Sequence, residues 1–253
     1  MLRNSFLLME GIGKKSEQKL WRQGITTWND FIDAEDIKGI GGSRNKEYTG
    51  LLKKALKNLE KENETFFSYR MPRKHHWRMY REFKDKVAYL DIETTGLNKE
   101  RNKVTTVSVY NGSNAETLVH GKDLTLKNLQ QMLGRHKVLV TYNGAQFDIP
   151  FLKAHFPQLD FEKPHIDLRY PCKSLGLTGG LKAIEEELGI ARKGVEDLDG
   201  KDAIRLWKKY ERGDREALDK LVRYNQLDVE NLEPLLSTVY NKMEEKKFRS
   251  VVK

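Results

Sequence analysis

The stretch YLDIETTGL, residues 89–97, places two acids two positions apart at the end of an apolar run. The β-branched and aromatic residues before them predict a strand from Val87 to Leu90 that leads into Asp91. Side chains alternate along a strand, so Asp91 and Glu93 are expected to point to the same face, beyond the strand's end. Such a pair is either half of a metal site, since carboxylate oxygens hold hard cations, or a solvated strand end.

Composition limits the class of protein. The chain has 253 residues, of which 38% are hydrophobic and 33% charged, as in a soluble globular protein of one or two domains. The apolar run Phe6–Met9 is too short for a signal peptide or a membrane span, so the cytoplasm is the expected location, without a membrane partner. A single cysteine, Cys172, excludes an intrachain disulfide and a cysteine-based zinc site.

Charge points to a polyanionic partner. Lys and Arg number 46 against 37 Asp and Glu, which gives a formal net charge of +9. Nucleic acid is the commonest partner of such proteins, although many basic proteins bind none.

Changes in composition predict four segments. Residues 1–65 form a small helical domain, 66–85 a basic and aromatic connecting helix, 86–242 an α/β domain, and 243–253 a basic tail. In the α/β domain, strands at 87–90, 103–110 and 116–120 form an antiparallel meander, with a hairpin turn at Asn111-Gly112. Strands at 138–142 and 165–170 alternate with helices, and helices follow at 180–188, 201–210 and 215–240. This order predicts a mixed sheet flanked by helices.

Two further acids, Asp148 and Asp228, are candidates for the same site as the first pair. The strand ending at Tyr142 turns at Asn143-Gly144 and enters a helix that carries Asp148, above the edge where Asp91 emerges; alternatively, Asp148 only stabilises the helix N-terminus. In the last helix, Tyr224 and Asp228 are four residues apart and share one face. Apolar neighbours place Asp228 toward the core, where an unpaired carboxylate is costly and a cation would satisfy it.

Together, Asp91-x-Glu93, NGAQFD (143–148) and Tyr224-x-x-x-Asp228 resemble the three motifs of the DEDD (DnaQ-like) 3′–5′ exonuclease superfamily, in its tyrosine variant. GGLKAIEEELGI (179–190) and LDGKDAIRLWKKY (198–210) look like the YprB-like exonucleases, which are similar to the proofreading domain of family B DNA polymerases. The resemblance covers about 85–240 and implies a ribonuclease H-like fold.

The resemblance also implies roles for individual residues. Asp91, Glu93, Asp148 and Asp228 would hold two Mg²⁺ or Mn²⁺ ions, and Tyr224 would orient the attacking water. By the same resemblance, the terminal nucleotide would contact five residues: Thr94, Thr95, Leu97, Asn143 and Phe147. Each of these has an ordinary alternative as a turn, cap or core residue. Asp167, in HIDLRY, is expected to be structural.

The N-terminal region repeats a Gly-Ile-Gly turn before a lysine-bearing helix. The first contains Gly11 and Gly13, followed by Lys14 and Lys15, and the second is KGIGG at 38–42. Both look like helix-hairpin-helix turns, whose backbone N–H groups would contact a nucleic-acid phosphate without reading sequence. A plain helical domain with glycine turns is the alternative.

Residues 66–85 interleave aromatics with arginines, which suits a single strand held by stacking and charge. The rings of Trp77, Tyr80 and Phe83 have the spacing of a packed helix face, whereas Arg73 and Arg78 are expected to contact the phosphate backbone. His75 and His76 are expected to face solvent.

These features predict a metal-dependent 3′–5′ exonuclease that releases nucleoside monophosphates from single-stranded or frayed DNA. Two alternatives remain open: an RNA 3′ exonuclease on the same fold, and a nucleic-acid-binding adaptor whose acidic site is inactive.

Overall fold

The computed structural model describes residues 1–192, 194 and 197–252. The chain divides into two compact units. The N-terminal unit comprises Met1–Lys84 with Val239–Lys253, and the sheet unit comprises Asp85–Thr238. Among the described residues, no helix combines the length and the apolar character needed to cross a bilayer.

The N-terminal unit is helical. Its elements are α1 (Lys14–Arg22), α2 (Trp28–Asp33), α3 (Gly42–Glu60), α4 (Glu64–Arg70), a run of 3₁₀ turns (Arg73–Lys86), a π-helical turn (Glu245–Arg249) and α11 (Ser250–Val252). Helices α1 and α3 each begin directly after a glycine, Gly13 and Gly41, as the two Gly-Ile-Gly turns predict. The segment expected to be a basic tail is helical, and its Phe248 packs edge-on against Trp21 at 5.1 Å.

The segment 66–85 is not the single helix that its pattern predicts. Helix α4 ends at Arg70, and 3₁₀ turns follow from Arg73. The rings of this segment are buried, as expected: Trp77 and Tyr80 both pack against Tyr240, and Phe83 packs against Phe67. The packing role of the aromatic side chains is therefore confirmed.

Two expectations for this segment are wrong, and both concern burial. Arg78, expected to contact phosphates, is only 3% exposed, and its guanidinium donates to both carboxylate oxygens of Glu17 at 2.7 and 2.9 Å and to Ser5 at 2.7 Å. Glu17 faces the core from α1, and a buried carboxylate needs such a partner. His75 and His76 are also buried, and burial with nearby cations lowers the pKa of His75 to about 3.

The sheet unit contains a five-stranded mixed sheet in the order β3-β2-β1-β4-β5. The strands are β1 (Val87–Thr94), β2 (Val104–Tyr110), β3 (Ala115–Val119), β4 (Val138–Thr141) and β5 (His165–Asp167). The first three form the predicted antiparallel meander, and β4 and β5 add in parallel. The predicted mixed α/β architecture is therefore confirmed.

Helices flank the sheet and form two apolar clusters. They are α5 (Leu126–Gly134), α6 (Asp148–His155), α7 (Arg169–Leu175), α8 (Leu181–Leu188), α9 (Gly200–Glu211) and α10 (Arg215–Glu244). Leu90 and Ile92 of β1 pack with residues of α5 and α6. A second cluster joins α9 to α10 and includes Tyr224. Helix α7 replaces the end of the strand expected at 165–170.

Candidate active site

The first acid pair lies within β1 rather than beyond it. The strand continues to Thr94, and Asp91 and Glu93 pair with Ser108 and Thr106 of β2. The strand is longer than predicted because β2 supplies main-chain hydrogen bonds throughout this stretch. Ile92, between the acids, packs into the apolar cluster with α5 and α6. The two carboxylates therefore share the opposite face, as the period of two predicts.

Asp148 reaches this site from a tight turn. Asn143 has a positive φ of 63°, and a Cβ on Gly144 would lie 2.3 Å from the Thr141 hydroxyl oxygen, so only glycine fits there. Helix α6 begins at Asp148 itself, slightly later than the sequence pattern predicts. The pairing between β4 and β1 ends at Tyr89.

Beyond Tyr89, a side chain and not β4 accepts a hydrogen bond from the backbone of β1. The backbone N–H of Ile92 donates to Oδ1 of Asp148 at 3.1 Å. This bond fixes the Asp148 carboxylate beside the first acid pair and leaves its second oxygen for another partner.

Helix α10 supplies the last two predicted residues and one that the motifs did not indicate. Tyr224 and Asp228 are both buried. Asn225, between them, donates from its amide nitrogen to Asp91 Oδ2 at 2.7 Å. Its amide oxygen accepts from the Thr106 hydroxyl of β2 at 2.9 Å. Asn225 therefore joins the helix to the sheet at the level of the acids.

The acids fit a hard divalent cation. One carboxylate oxygen each of Asp91, Glu93 and Asp228 lies within 4.8 Å of the other two. The Asp148 carboxylate accepts a hydrogen bond from the backbone N–H of Ile92, which lies between Asp91 and Glu93 in the chain. An all-oxygen, multiply charged set of this kind suits Mg²⁺ or Mn²⁺ better than softer metals.

Burial and mutual repulsion raise the pKa of each acid. The pKa values of Asp91 and Glu93 lie well above their usual range, first because both are buried and then because Asp148 and Asp228 are close. Burial raises the pKa of Asp148 to about 7, against its hydrogen bonds from the backbone. Burial raises that of Asp228 to about 6, opposed by Arg192. Without cations, the site is therefore partly protonated at neutral pH.

An arginine that sequence reasoning missed belongs to the site. Arg192 is 6% exposed and donates to Oδ1 of Asp228 and to Oε2 of Glu185, both at 2.5 Å. Its guanidinium carbon lies 5.3 Å from the centre of the Tyr224 ring. Arg192 lies in the loop after α8, among other charged residues, where no periodicity separates a buried arginine from a solvated one.

A cavity of about 670 Å³ opens above the acids. It is lined by the five predicted catalytic residues and by Thr94, Leu97, Asn143 and Phe147. It is also lined by residues to which the sequence assigned no role in the site: Ile92, Tyr142, Gly180, Leu181, Asp199, Gly200, Lys201 and Ile204. Leu97 is 85% exposed, so its side chain is accessible to a ligand in this cavity. Thr95 is not among the lining residues, and its hydroxyl contacts Asn102 instead.

The other predicted residues lie elsewhere. Asp167 supports the turn before α6, since its carboxylate accepts from the backbone N–H groups of Asn143, Ala145 and Arg169. Gly11, Gly13, Lys14, Lys15 and Arg73 belong to the N-terminal unit. Their side chains or backbones are exposed around the start of α1 and at the start of the 3₁₀ turns.

The fold has relatives among solved structures. The chain resembles the family B DNA polymerase from the hyperthermophilic archaeon Pyrobaculum calidifontis at 17% identity and a TM-score of 0.52, over 66% of this chain and 26% of the polymerase. It spans about a quarter of that polymerase. Brucella melitensis NrnC with bound Mg²⁺ matches at 19% identity and a TM-score of 0.49, over 67% of this chain and 80% of NrnC. No curated protein matches the chain by sequence.

The sequence also matches a family model. The model of the RNase_H superfamily covers residues 88–240, which include every predicted acid and all of the sheet except Val87. This span is more than half of the chain, and the order of strands agrees with the ribonuclease H-like architecture expected from the motifs. We conclude that the chain belongs to the RNase_H superfamily.

Proposed function

We propose that the protein is a metal-dependent 3′–5′ exonuclease of the DEDD type, in the tyrosine variant related to YprB. The observation that carries this proposal is the meeting of Asp91, Glu93 and Asp228 within 4.8 Å, although Asp228 is 137 and 135 residues from the other two in sequence. Tyr224 lines the same cavity. A binding adaptor would have no need to bury so many like charges together.

In this proposal, the four acids hold two divalent cations, Mg²⁺ or Mn²⁺. When bound, such ions supply charge stabilisation for the attacking and leaving oxygens of a phosphodiester. The chain's own hydrogen bonds limit how the ligands turn: Asn225 holds Asp91, Ile92 holds Asp148 and Arg192 holds Asp228. These contacts hold ligand oxygens in place before any cation binds.

Tyr224 orients the attacking water. Burial and then the charge of Asp228 raise the pKa of its phenol above the ordinary value, so the hydroxyl stays protonated at neutral pH. A protonated phenol positions a water by hydrogen bonding and does not act as a general base. The phenol also hydrogen bonds to Asp228, which couples its position to a metal ligand.

The cavity suits the 3′-terminal nucleotide of a single strand. Leu97 and Phe147 provide apolar contacts for a base, and Thr94 and Asn143 provide polar ones. Bases present an apolar face of this kind only when they are unstacked, which favours single-stranded or frayed ends. The products are nucleoside monophosphates.

DNA is the substrate that we favour, because of the N-terminal unit. Helix α1 begins after Gly13 with no side-chain cap among the described residues, and Lys14 and Lys15 are exposed in its first turn. Backbone N–H groups and lysines in this arrangement suit a phosphate backbone without sequence preference. Arg73, also exposed, adds charge in the same unit.

A cleavage assay tests the proposal. Purified protein is incubated with 5′-labelled single-stranded DNA or matched RNA in Mg²⁺, Mn²⁺ or EDTA. We expect a metal-dependent ladder that shortens from the 3′ end, faster on DNA. Asp91→Asn should abolish it, whereas Asp219→Asn, an exposed acid of α10, should not. Faster RNA cleavage would reassign the polymer, and binding without cleavage of either strand would favour the adaptor.

A further inference from the structure

A second cavity adjoins the acidic one. Its volume is about 400 Å³, and it is lined by Tyr142, Arg169, Lys173, Leu177, Thr178 and Gly179. Tyr142 lines both cavities, and its hydroxyl donates to the Gly179 carbonyl at 2.6 Å. The next residue, Gly180, lines the acidic cavity. The two cavities are therefore neighbours, separated by the tyrosine and the backbone to which it is bonded.

The charges that line the two cavities have opposite sign. Five acids line the catalytic cavity together with Lys201. Of the described residues that line the second cavity, those with charged side chains are Arg169 and Lys173, and no acid is among them. The Asp167 carboxylate, which precedes α7, is buried and accepts from three backbone N–H groups, one of them that of Arg169. The second cavity is therefore suited to an anion.

Arg169 is held in place for such a role. Its Nη1 donates to Asn143 Oδ1 at 2.6 Å and to Gln146 Oε1 at 2.7 Å. A guanidinium has five N–H donors, so donors remain for a ligand after these two bonds. Asn143 also lines the catalytic cavity, so Arg169 connects the two cavities through one side chain. Lys173 lies one turn further along α7, on the same face.

We propose that Arg169 and Lys173 form a phosphate subsite, which binds the single strand upstream of the nucleotide held over the acids. This inference rests on the proposed function, because only a polymer that enters the acidic cavity continues into its neighbour. Guanidinium and ammonium groups bind phosphates without reading bases. The subsite therefore makes affinity depend on the length of the strand and not on its sequence. A strand too short to reach it gains nothing from the two side chains.

Binding measurements test the subsite independently of cleavage. Fluorescently labelled DNA and RNA of two and of about twelve nucleotides are titrated in EDTA by anisotropy, between about 50 and 200 mM salt. The variants are Arg169→Ala/Lys173→Ala and Lys173→Glu. The latter leaves the bonds from Arg169 to Asn143 and Gln146 intact. Lys208→Ala/Lys209→Ala removes the same charge from exposed positions at the end of α9 and serves as the control.

We expect the double variant to bind the longer strand on the order of tenfold more weakly than the control. The slope of log affinity against log salt should fall by about 1.4, from about 0.7 for each of two phosphates on a single strand. Lys173→Glu should also weaken binding of the longer strand relative to the control, and it should leave binding of the dinucleotide unchanged because Arg169 still holds Asn143.

The outcomes separate the two proposals. If the longer strand binds both variants with the affinity and salt slope of the control, the subsite is wrong even if the wild-type protein degrades DNA. If the wild-type protein cleaves nothing but the variants lose length-dependent binding, the subsite stands and the exonuclease proposal fails.

Discussion

Arg192 joins two buried acids, since its guanidinium lies 2.5 Å from Asp228 Oδ1 and 2.5 Å from Glu185 Oε2. Glu185 is fully buried, and its charge offsets that of the arginine. Asp228 can therefore be held by a cationic side chain and still keep its own negative charge for a metal. A lone arginine would compete with the metal for the same carboxylate.

Removal of Arg192 should destabilise the fold strongly. Arg192→Met leaves two buried acids without their partner, and we expect the free energy of unfolding to fall by about 3–5 kcal/mol. The double variant Glu185→Gln/Arg192→Gln should recover part of the lost free energy of unfolding, because it also removes the charge of one of the two unpaired buried acids. Urea unfolding of the metal-free protein measures both. The control is Arg205→Met, whose side chain is 72% exposed and whose pair with Asp202 should contribute less than about 1 kcal/mol. Equal losses for Arg192 and Arg205 would contradict the role of the buried network.

Tyr224→Phe should slow hydrolysis without weakening metal binding. The phenol hydroxyl is one positioning donor in a buried site, and removal of such a donor typically lowers kcat by about 100-fold or more. Single-turnover cleavage measures the rate, and a Mn²⁺ titration followed by electron paramagnetic resonance measures the affinity. Tyr210→Phe, a partly buried tyrosine of α9, is the matched control. A weakened Mn²⁺ affinity with an unchanged saturated rate would show that Tyr224 acts only through Asp228.

The metal-free protein should lose stability as pH rises from about 4 to about 7. The ordinary aspartate pKa is 3.8, whereas the folded pKa values of Asp228 and Asp148 are about 6 and about 7. Between these limits the folded chain binds more protons than the unfolded chain, so the free energy of unfolding falls with pH. Thermal unfolding in EDTA measures the slope, which Asp148→Asn should reduce.

Divalent cations should reverse this trend, because they bind the deprotonated acids. Binding of Mg²⁺ near pH 6 should also release protons, which calorimetry in buffers of different ionisation enthalpy detects. A metal-free protein that becomes more stable across this range would contradict the raised pKa values.

The N-terminal unit should depend on Glu17. Glu17→Gln leaves the buried guanidinium of Arg78 without its counter-ion, and we expect a loss of about 3–5 kcal/mol in the stability of this unit. Glu47→Gln, an exposed acid of α3, is the control. Urea unfolding followed by tryptophan fluorescence reports mainly on this unit, which holds three of the four tryptophans, Trp21, Trp28 and Trp77. A loss no larger than that of the control would show that water replaces the carboxylate.

The sequence was sufficient for the parts of the site that repeat with a period. Alternation in β1 predicted that Asp91 and Glu93 share a face, and the four-residue spacing predicted that Tyr224 and Asp228 share one. The antiparallel meander followed from strand runs and the Asn-Gly turn. These features depend on local backbone geometry, which a short stretch of sequence specifies.

Contacts between distant segments could not be predicted in this way. Arg78 and Arg192 have the same composition of neighbours as solvated arginines, and only the fold shows that both are buried ion-pair partners. The pattern of β1 alone also ends the strand before its acids, because the last residues of β1 are held by pairing with β2. Asn225 carries no motif of its own, although it contacts two strands.

The amide of Asn225 also supplies a hydrogen-bond donor, which the ionised acids of the site cannot supply. An ionised carboxylate only accepts hydrogen bonds, so Asp91 requires the nitrogen of that amide, and the Thr106 hydroxyl turns the oxygen away. Exchange of this nitrogen for oxygen, as in Asn225→Asp or a deamidation, would replace a donor by a fifth negative charge beside Asp91. An exchange of a single atom group at this neutral residue would therefore disturb the acidic centre as directly as the same exchange at one of its acids.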